Sequence, residues 1–211
     1  NLLEKIAFTR VSGSTEEFKC ANILKETVES FGKNAEIWPF EVSGYKINNV
    51  SLSANGKTYE VSGIKGSGSA VITAPLYYME TNLDTDKYEI KDKIVLINGV
   101  INVPTYKKLL KYGAKGFISY SGDIIDTPDN SDLENKELRD VLRNKGIIPG
   151  VHMRTKTAIE LLNDNPKEVT LELSQDEFTQ TSHNVISEIK GNIYPDEIIT
   201  ITAHYDSVEF S

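Results

Sequence analysis

The sequence predicts a mixed α/β (α+β) fold made of two unequal parts. Between residues 70 and 173, short runs of β-branched and aliphatic residues alternate with helical patterns, as expected for strands joined by helices. Polar segments at residues 43–46 and 174–177 flank this region, and domain boundaries usually fall in such segments. A chain of 211 residues with 39% hydrophobic content can bury one sizeable core or two modest ones.

The first predicted element is a helix that begins after Ser14. Ser14 followed by Glu17 is a capping-box signature, in which each side chain satisfies a backbone N–H of the other residue. Apolar residues then recur at helical spacing over residues 18–31, and Gly32 supplies the stop. The resulting apolar stripe needs a sheet to cover it.

A strand and a hairpin are predicted next. Residues 35–42 alternate between apolar and polar side chains, and Pro39 favours an edge position because it cannot donate a ladder hydrogen bond. Residues 51–61 predict a β-hairpin, since Asn55 and Gly56 favour the positive φ angles of a two-residue type I′ turn.

The central region predicts a compact α/β module. The glycine-rich residues 63–68 that precede it resemble a phosphate-binding loop only superficially, because no helix or P-loop lysine follows, and we predict a flexible connection. The predicted strands are residues 71–72, 94–97, 116–120, 147–151 and 169–173, the predicted helices are residues 105–112 and 155–162, and a second crossover covers residues 133–143.

The last part of the chain predicts a buried strand that ends at a histidine. Residues 198–202 combine β-branched residues with threonine, as do strands buried on both faces of an α/β sheet. His204 and Asp206 follow at the carboxyl end, where such sheets bind ligands, and share one side of an extended backbone. If His204 binds a metal, Asp206 can accept its other ring N–H. A lone histidine at a strand end is more often structural, so these residues alone leave both roles open.

Three short sequence blocks surround this histidine. Residues 184–191 read NVISEIKG, residues 195–197 read PDE, and residues 203–208 read AHYDSV. Together they resemble the opening of the catalytic core in the di-zinc aminopeptidases of metallopeptidase family 28. The resemblance implies a zinc exopeptidase in which water activated by two zinc ions attacks a terminal peptide bond. It implies a metal-ligand role for His204 and a catalytic role for Asp206 as the carboxylate that orients it.

A second resemblance concerns the central module. Residues 92–97, 113–118 and 148–151, with helices after them, are similar in this order to the protease-associated domain, a small strand-rich fold commonly inserted into such proteases. That domain is a lid or interaction module and brings no catalytic residues.

The two resemblances together imply three segments. Residues 1–42 would be the N-terminal segment of the peptidase core, residues 43–178 the protease-associated domain, and residues 179–211 the start of a truncated catalytic core. The remaining zinc ligands and the general base would lie beyond Ser211. We therefore expect the chain to be inactive alone, because one imidazole and its carboxylate cannot supply the three protein ligands of a catalytic zinc site.

Composition and charge limit the partners. The net charge is −8, with 31 acidic against 23 basic residues and no dense basic block, which argues against nucleic acid and anionic membranes. No apolar run approaches the ~20 residues of a membrane span. We expect a peptide or protein substrate and a contact with the remainder of the peptidase domain as partners. We also expect Ile198, Ile199 and Ile201, which would lack part of their cover, to pair with a second copy of the chain. Family members with the inserted module are often exported, which favours an extracellular or cell-surface location.

Several other side chains have structural roles as their simplest interpretation. We predict a small buried position for Cys20, a solvated turn for Lys115, a surface position for His152 and a loop hydrogen bond for His183. The aromatic cluster at residues 77–79 is predicted to pack under loops rather than to line a groove. The single cysteine excludes an internal disulfide.

Another class of function is compatible with the same residues. Some relatives of family 28 have lost the metals and act as receptors, so a non-catalytic peptide- or protein-binding module or a receptor-like homologue is the alternative. A sugar- or peptide-binding insert is a third interpretation that no specific residue supports. The intact pair of His204 and Asp206 favours the enzyme. The choice between aminopeptidase, carboxypeptidase and dipeptidase is not encoded in these residues.

Overall fold

The chain folds into two compact units. The computed structural model describes residues 1–79, 89–99, 101–125, 133, 136–194 and 196–208. One unit comprises Asn1–Gly44 and Phe178–Phe210, and the other comprises Tyr45–Glu177. These bounds lie close to the boundaries proposed from the polar segments, whereas the assignment of the second unit to the protease-associated domain stays a prediction.

The described residues of the first unit form two helices and parts of two long strands. The elements are α1 (Leu2–Lys5), α2 (Thr15–Ser30), the first part of β1 (Glu36–Ala54) and the last part of β8 (Glu168–Ile186). The start of α2 confirms the predicted cap, because the Ser14 hydroxyl accepts the Glu17 backbone N–H at 3.0 Å. Cys20 and Ala21 are fully buried on this helix, whereas Phe31 at its end is 74% exposed.

The second unit is built on a mixed sheet. Its other elements are β2 (Lys57–Tyr59), β3 (Ser62–Gly63), β4 (Ala70–Met79), β5 (Ile94–Asn98), α3 (Val103–Lys111), β6 (Gly116–Ser121), α4 (Asp140–Arg143), β7 (Gly150–Arg154) and α5 (Thr155–Asp164). The strand order is β2-β1-β8-β4-β5-β6-β7-β3. Strands β4 to β7 are parallel, and β2, β8 and β3 pair antiparallel with β1, β4 and β7. The predicted hairpin is confirmed, with φ of 52° at Asn55 and 77° at Gly56.

Helices cover both faces of the parallel strands. Val95 and Ile97 of β5 lie in one apolar cluster with residues of α3 and α4, and Ile94 and Leu96 lie in the other with residues of α5. This division follows from the alternation of side chains along a strand. The arrangement confirms the α/β class, because a parallel sheet needs cover on both sides.

Four strands differ from their predicted bounds. Strands β1 and β4 extend well beyond the predicted residues 35–42 and 71–72. Strand β8 runs without interruption from Glu168 to Ile186, although its polar residues 174–177 suggested a boundary. Polar side chains do not end a strand when the backbone ladder continues, and β1 flanks β8 along the sheet. The predicted strand at residues 147–151 is β7 and begins later, at Gly150.

The predicted buried strand before His204 is wrong for this structure. Residues 198–204 carry no strand, and Ile198, Ile199 and Ile201 are 89%, 90% and 91% exposed. A strand buried on both faces requires hydrogen-bonded neighbours and cover, and no strand within the described residues pairs with this stretch.

No helix in the described ranges combines the length and apolar character needed to cross a membrane.

Candidate functional site

The candidate site is a cleft of about 400 Å³ in the first unit, beside the segment that carries His204. Its lining combines the N-terminal segment, α2, the end of β8 and the stretch 202–206. The lining residues are Ser12, Glu17, Phe40, Ser182, His183, Asn184, Thr202, Ala203, His204, Tyr205 and Asp206. We refer to residues 203–208 as the His204 arm.

His204 and Asp206 form a hydrogen-bonded pair on one side of the arm. Nδ1 of His204 lies 3.0 Å from Oδ1 of Asp206, and the histidine side chain is 96% exposed. An ionised carboxylate can only accept, so Nδ1 carries the proton of a neutral ring and Nε2 presents its lone pair. Metal-binding histidines use this arrangement, in which the carboxylate fixes the tautomer and the ring direction.

The pair fits one protein position of a zinc site. Imidazole nitrogen is a common zinc ligand, and a catalytic zinc takes three protein ligands. Within the described part of the chain, no group of three His, Cys, Asp or Glu side chains is placed to hold a metal ion. These residues therefore provide one ligand with its orienting carboxylate rather than a complete centre.

Tyr205 points away from this pair, into the protein. Its hydroxyl contacts the Glu17 carboxylate and lies 2.6 Å from the backbone carbonyl of His183. Glu17 is fully buried, and its other carboxylate oxygen lies 3.1 Å from Nδ1 of His183. A buried carboxylate is costly without partners, and these two side chains supply them.

The Glu17 carboxylate departs from the predicted capping box. In that motif it would return to the backbone N–H of Ser14, but this N–H donates to the carbonyl of Val11 at 3.0 Å. The helix cap depends on the Ser14 hydroxyl alone, which leaves the Glu17 carboxylate for His183 and Tyr205. The partner predicted for His183 was a loop, and the structure shows a helix carboxylate instead.

Arg10 holds the arm from the N-terminal segment. Its Nε donates to the backbone carbonyl of Tyr205, and one terminal nitrogen donates to the carbonyls of Ile6 and Phe8 at 2.8 Å each. Its backbone also pairs with Ser207, whose N–H donates to the Arg10 carbonyl at 3.0 Å and whose hydroxyl accepts the Arg10 N–H at 2.9 Å. Sequence reasoning assigned no role to Arg10, because its partners lie near the other end of the chain.

His152 lies in the second unit and is buried, so its predicted surface position is wrong. It sits on β7, a parallel strand covered on both faces, and its ring nitrogens lie 2.9 Å from the Ser119 hydroxyl and 3.2 Å from that of Ser121. Burial lowers the pKa of His152 to about 4, and the nearby cations Lys136 and Arg154 act in the same direction. The imidazole is therefore neutral at pH 7 and has a structural role in the core.

The remaining sequence-predicted residues have structural positions. Cys20 is fully buried, and burial raises the pKa of its thiol. The Lys115 ammonium is 3.9 Å from Asp92 and its side chain is 49% exposed, as predicted for a solvated turn. Residues 77–79 belong to β4, where Met79 is buried and the Tyr78 hydroxyl lies 3.0 Å from that of Tyr120.

Residues 63–68 are not the flexible connection that their glycines suggested. Gly63 belongs to β3, and the Gly66 N–H donates to the Gln175 side chain at 2.9 Å. The buried Ser67 hydroxyl donates to the Ile64 carbonyl at 2.7 Å. These bonds hold the segment against the sheet.

Comparison with known proteins places these features in a family context. Aminopeptidase YwaD of Bacillus subtilis (strain 168) is 29% identical over 210 residues, an alignment that covers 96% of this chain and 43% of that protein. The aminopeptidase from Aneurinibacillus sp. strain AM-1 has a TM-score of 0.72 at 26% identity, with 99% of this chain and 52% of that one covered. BSAP, a zinc aminopeptidase from Bacillus subtilis, gives a TM-score of 0.66 at 28% identity, covering 99% and 50%.

The chain spans about half the length of these relatives. No protein-family profile matches it. The agreement in both sequence and structure nevertheless extends over almost the whole chain and includes both compact units. The chain is therefore similar over almost its whole length to aminopeptidases, of which BSAP is a zinc aminopeptidase, in agreement with the sequence blocks around His204.

Proposed function

We propose that the chain contributes one metal-binding position to a zinc aminopeptidase that hydrolyses amino-terminal peptide bonds. The observation that carries this proposal is the 3.0 Å hydrogen bond between His204 Nδ1 and Asp206, which leaves Nε2 of an exposed ring directed away from its carboxylate partner. Homology to zinc aminopeptidases supports the choice of metal and reaction.

Each member of the pair has a distinct role in this proposal. His204 would hold a zinc ion through Nε2, and Asp206 would keep the proton on Nδ1 and the ring in one orientation. Zinc, when bound, lowers the pKa of water and polarises the peptide carbonyl. A second zinc ion, as in the di-zinc family that the sequence resembles, belongs to this proposal.

The second unit would act as the protease-associated lid or interaction module, with peptide or protein substrate and the remainder of the peptidase domain as partners. Its mixed sheet supplies a rigid support, and the buried neutral His152 has a packing role. The exported location suggested by the family resemblance is part of the same proposal.

The isoleucines at 198, 199 and 201 would pair with further chain or with a second copy. Their exposure of about 90% is unusual for such large apolar side chains and supports this part of the proposal. Light scattering over a range of concentrations tests pairing between copies. A strictly monomeric species at high concentration would exclude it for this chain.

Zinc titration by calorimetry, combined with an aminopeptidase assay on an aminoacyl-anilide substrate, tests the central proposal. This chain should show neither stoichiometric tight zinc binding nor turnover. A longer protein that includes it should show both, and His204→Ala should remove both. Tight zinc binding with turnover by the 211-residue chain would contradict the single-ligand assignment. Peptide binding without hydrolysis by the longer protein would favour the receptor-like alternative.

A further inference from the structure

We propose that Tyr205 is a positioning residue that fixes the His204 arm through a part-buried network with Glu17, His183 and Arg10. The network touches the backbone of the arm and the side chain of Tyr205, not the ring of His204. Its functional purpose rests on the proposed function, because orienting the arm matters for zinc only if His204 is a ligand. The physical anchoring itself can be tested without metal.

Alternation along the arm separates anchoring from ligand presentation. Consecutive side chains of an extended segment point to opposite sides. His204 and Asp206 meet on one side, with the histidine 96% exposed, while the Tyr205 hydroxyl reaches the buried Glu17 carboxylate on the other. One residue can thus hold the segment from behind while its two neighbours face the solvent.

The contact with Glu17 explains why this carboxylate is buried. Glu17 is fully buried on the first turn of α2, and its two oxygens are taken by His183 and Tyr205. The ring of Phe18 contacts that of His183, with centroids 4.5 Å apart and a tilt of 36° between the ring planes. Loss of the tyrosine hydroxyl would leave a buried carboxylate oxygen with one partner fewer, which favours opening of the arm.

Arg10 adds an anchor that does not depend on the tyrosine hydroxyl. Its guanidinium donates to the carbonyl of Tyr205, and its backbone exchanges two hydrogen bonds with Ser207. The arm is therefore fixed at the two positions that flank Asp206. A rigid support of this kind suits a metal ligand, because partners behind the ligand set its direction.

Hydrogen exchange provides a direct test of the anchor in this chain. Tyr205→Phe keeps the ring and removes the hydroxyl, and Tyr194→Phe is the matched control because Tyr194 is 69% exposed in the same unit. We expect the Ser207 amide, bonded to the Arg10 carbonyl, to exchange at least about tenfold faster in Tyr205→Phe, and not in the control. Amides of α2 should keep their protection, which separates loosening of the arm from global unfolding.

The ring of His204 supplies a second readout that a merely structural tyrosine would not move. Long-range ¹H–¹⁵N spectra report which ring nitrogen carries the proton. We expect the Nδ1–H form to dominate in the unmodified chain and in Tyr194→Phe, and to lose its dominance in Tyr205→Phe. Glu17→Gln, which still offers an acceptor oxygen to Tyr205, should keep the arm closer to its original state than Glu17→Ala does.

The outcomes separate this inference from the proposed function. Unchanged Ser207 exchange together with an unchanged His204 tautomer in Tyr205→Phe would overturn the anchoring role. If Tyr205→Phe fails to fold, Glu17→Ala removes the acceptor of the same hydroxyl, and unchanged Ser207 exchange in that variant would overturn the anchoring role equally. Loosening in these variants, combined with full zinc content of the longer enzyme carrying His204→Ala, would support the anchor and refute the metal role.

Discussion

Replacing His152 with glutamine should remove the part of the pH dependence of stability that arises from this buried imidazole. The imidazole is buried between the Ser119 and Ser121 hydroxyls, and burial lowers its pKa from 6.5 to about 4. Glutamine retains one donor and one acceptor near these hydroxyls but does not titrate in this range. The variant therefore removes the titrating group while it keeps a polar side chain at this position.

The direction of the effect follows from the lowered pKa. Between pH 6.5 and 4 the unfolded chain binds a proton at this histidine that the folded chain rejects, so the free energy of unfolding falls as the pH falls. The full difference corresponds to about 3–4 kcal/mol, of which about 2–3 kcal/mol should be lost between pH 7 and pH 4.5. The contribution is present above the pKa of the unfolded histidine.

Urea unfolding at pH 7 and pH 4.5 measures this difference, with exchange of the β6 and β7 amides as the local probe. His152→Gln should be less stable than the unmodified chain at pH 7 and should approach it at pH 4.5, since other titrating groups are common to both. His204→Asn is the control, because that side chain is 96% exposed, and it should retain the full pH dependence. Equal loss of stability on acidification in the unmodified chain and His152→Gln would refute the reasoning.

Three further predictions concern packing, an ion pair and the metal-binding pair. Gly150→Ala places a Cβ 2.2 Å from the ring of Phe117 and should lower stability by about 1–3 kcal/mol in urea unfolding, whereas Gly191→Ala, whose Cβ has only a backbone oxygen at 3.8 Å, should be neutral. Arg143→Ala removes a guanidinium that donates to a carboxylate at 2.9 Å and should lower the urea midpoint, with an unchanged midpoint as the contrary result. Asp206→Asn should weaken zinc binding by the longer enzyme about 10–100-fold, and equal affinity in a chelator competition would contradict the orienting role.

Local chemistry made much of the fold predictable. The Ser14 cap, the Asn55–Gly56 turn and the aliphatic alternation of β5 each depend on residues within a few positions of one another, and each is present in the structure. The pair formed by His204 and Asp206 belongs to the same class, because two residues separated by one position share a side of an extended chain. No sequence pattern predicted the cleft beside that pair, because its lining residues come from distant parts of the chain.

His152 and Glu17 show why the other assignments failed. His152 follows Gly150 and Val151 and was predicted to lie at the surface, but its burial depends on the strands beside β7 and on the cover over their faces. Glu17 matched a helix-capping motif, yet its carboxylate bonds to His183, 166 positions away. The spacing of Ser14 and Glu17 cannot show that a distant histidine replaces the local backbone N–H as the partner of this carboxylate.

The sequence by itself determined the α/β class, most of the helices and strands, the similarity to zinc aminopeptidases and the pairing of His204 with Asp206. These depend on periodicity, turn chemistry and short motifs, which act between near neighbours. Only the tertiary structure decided that Tyr205 reaches a buried carboxylate, that Arg10 bonds to the His204 arm and that His152 is neutral in the core. Those properties depend on which distant segments exclude water from a side chain and which groups replace that water as partners.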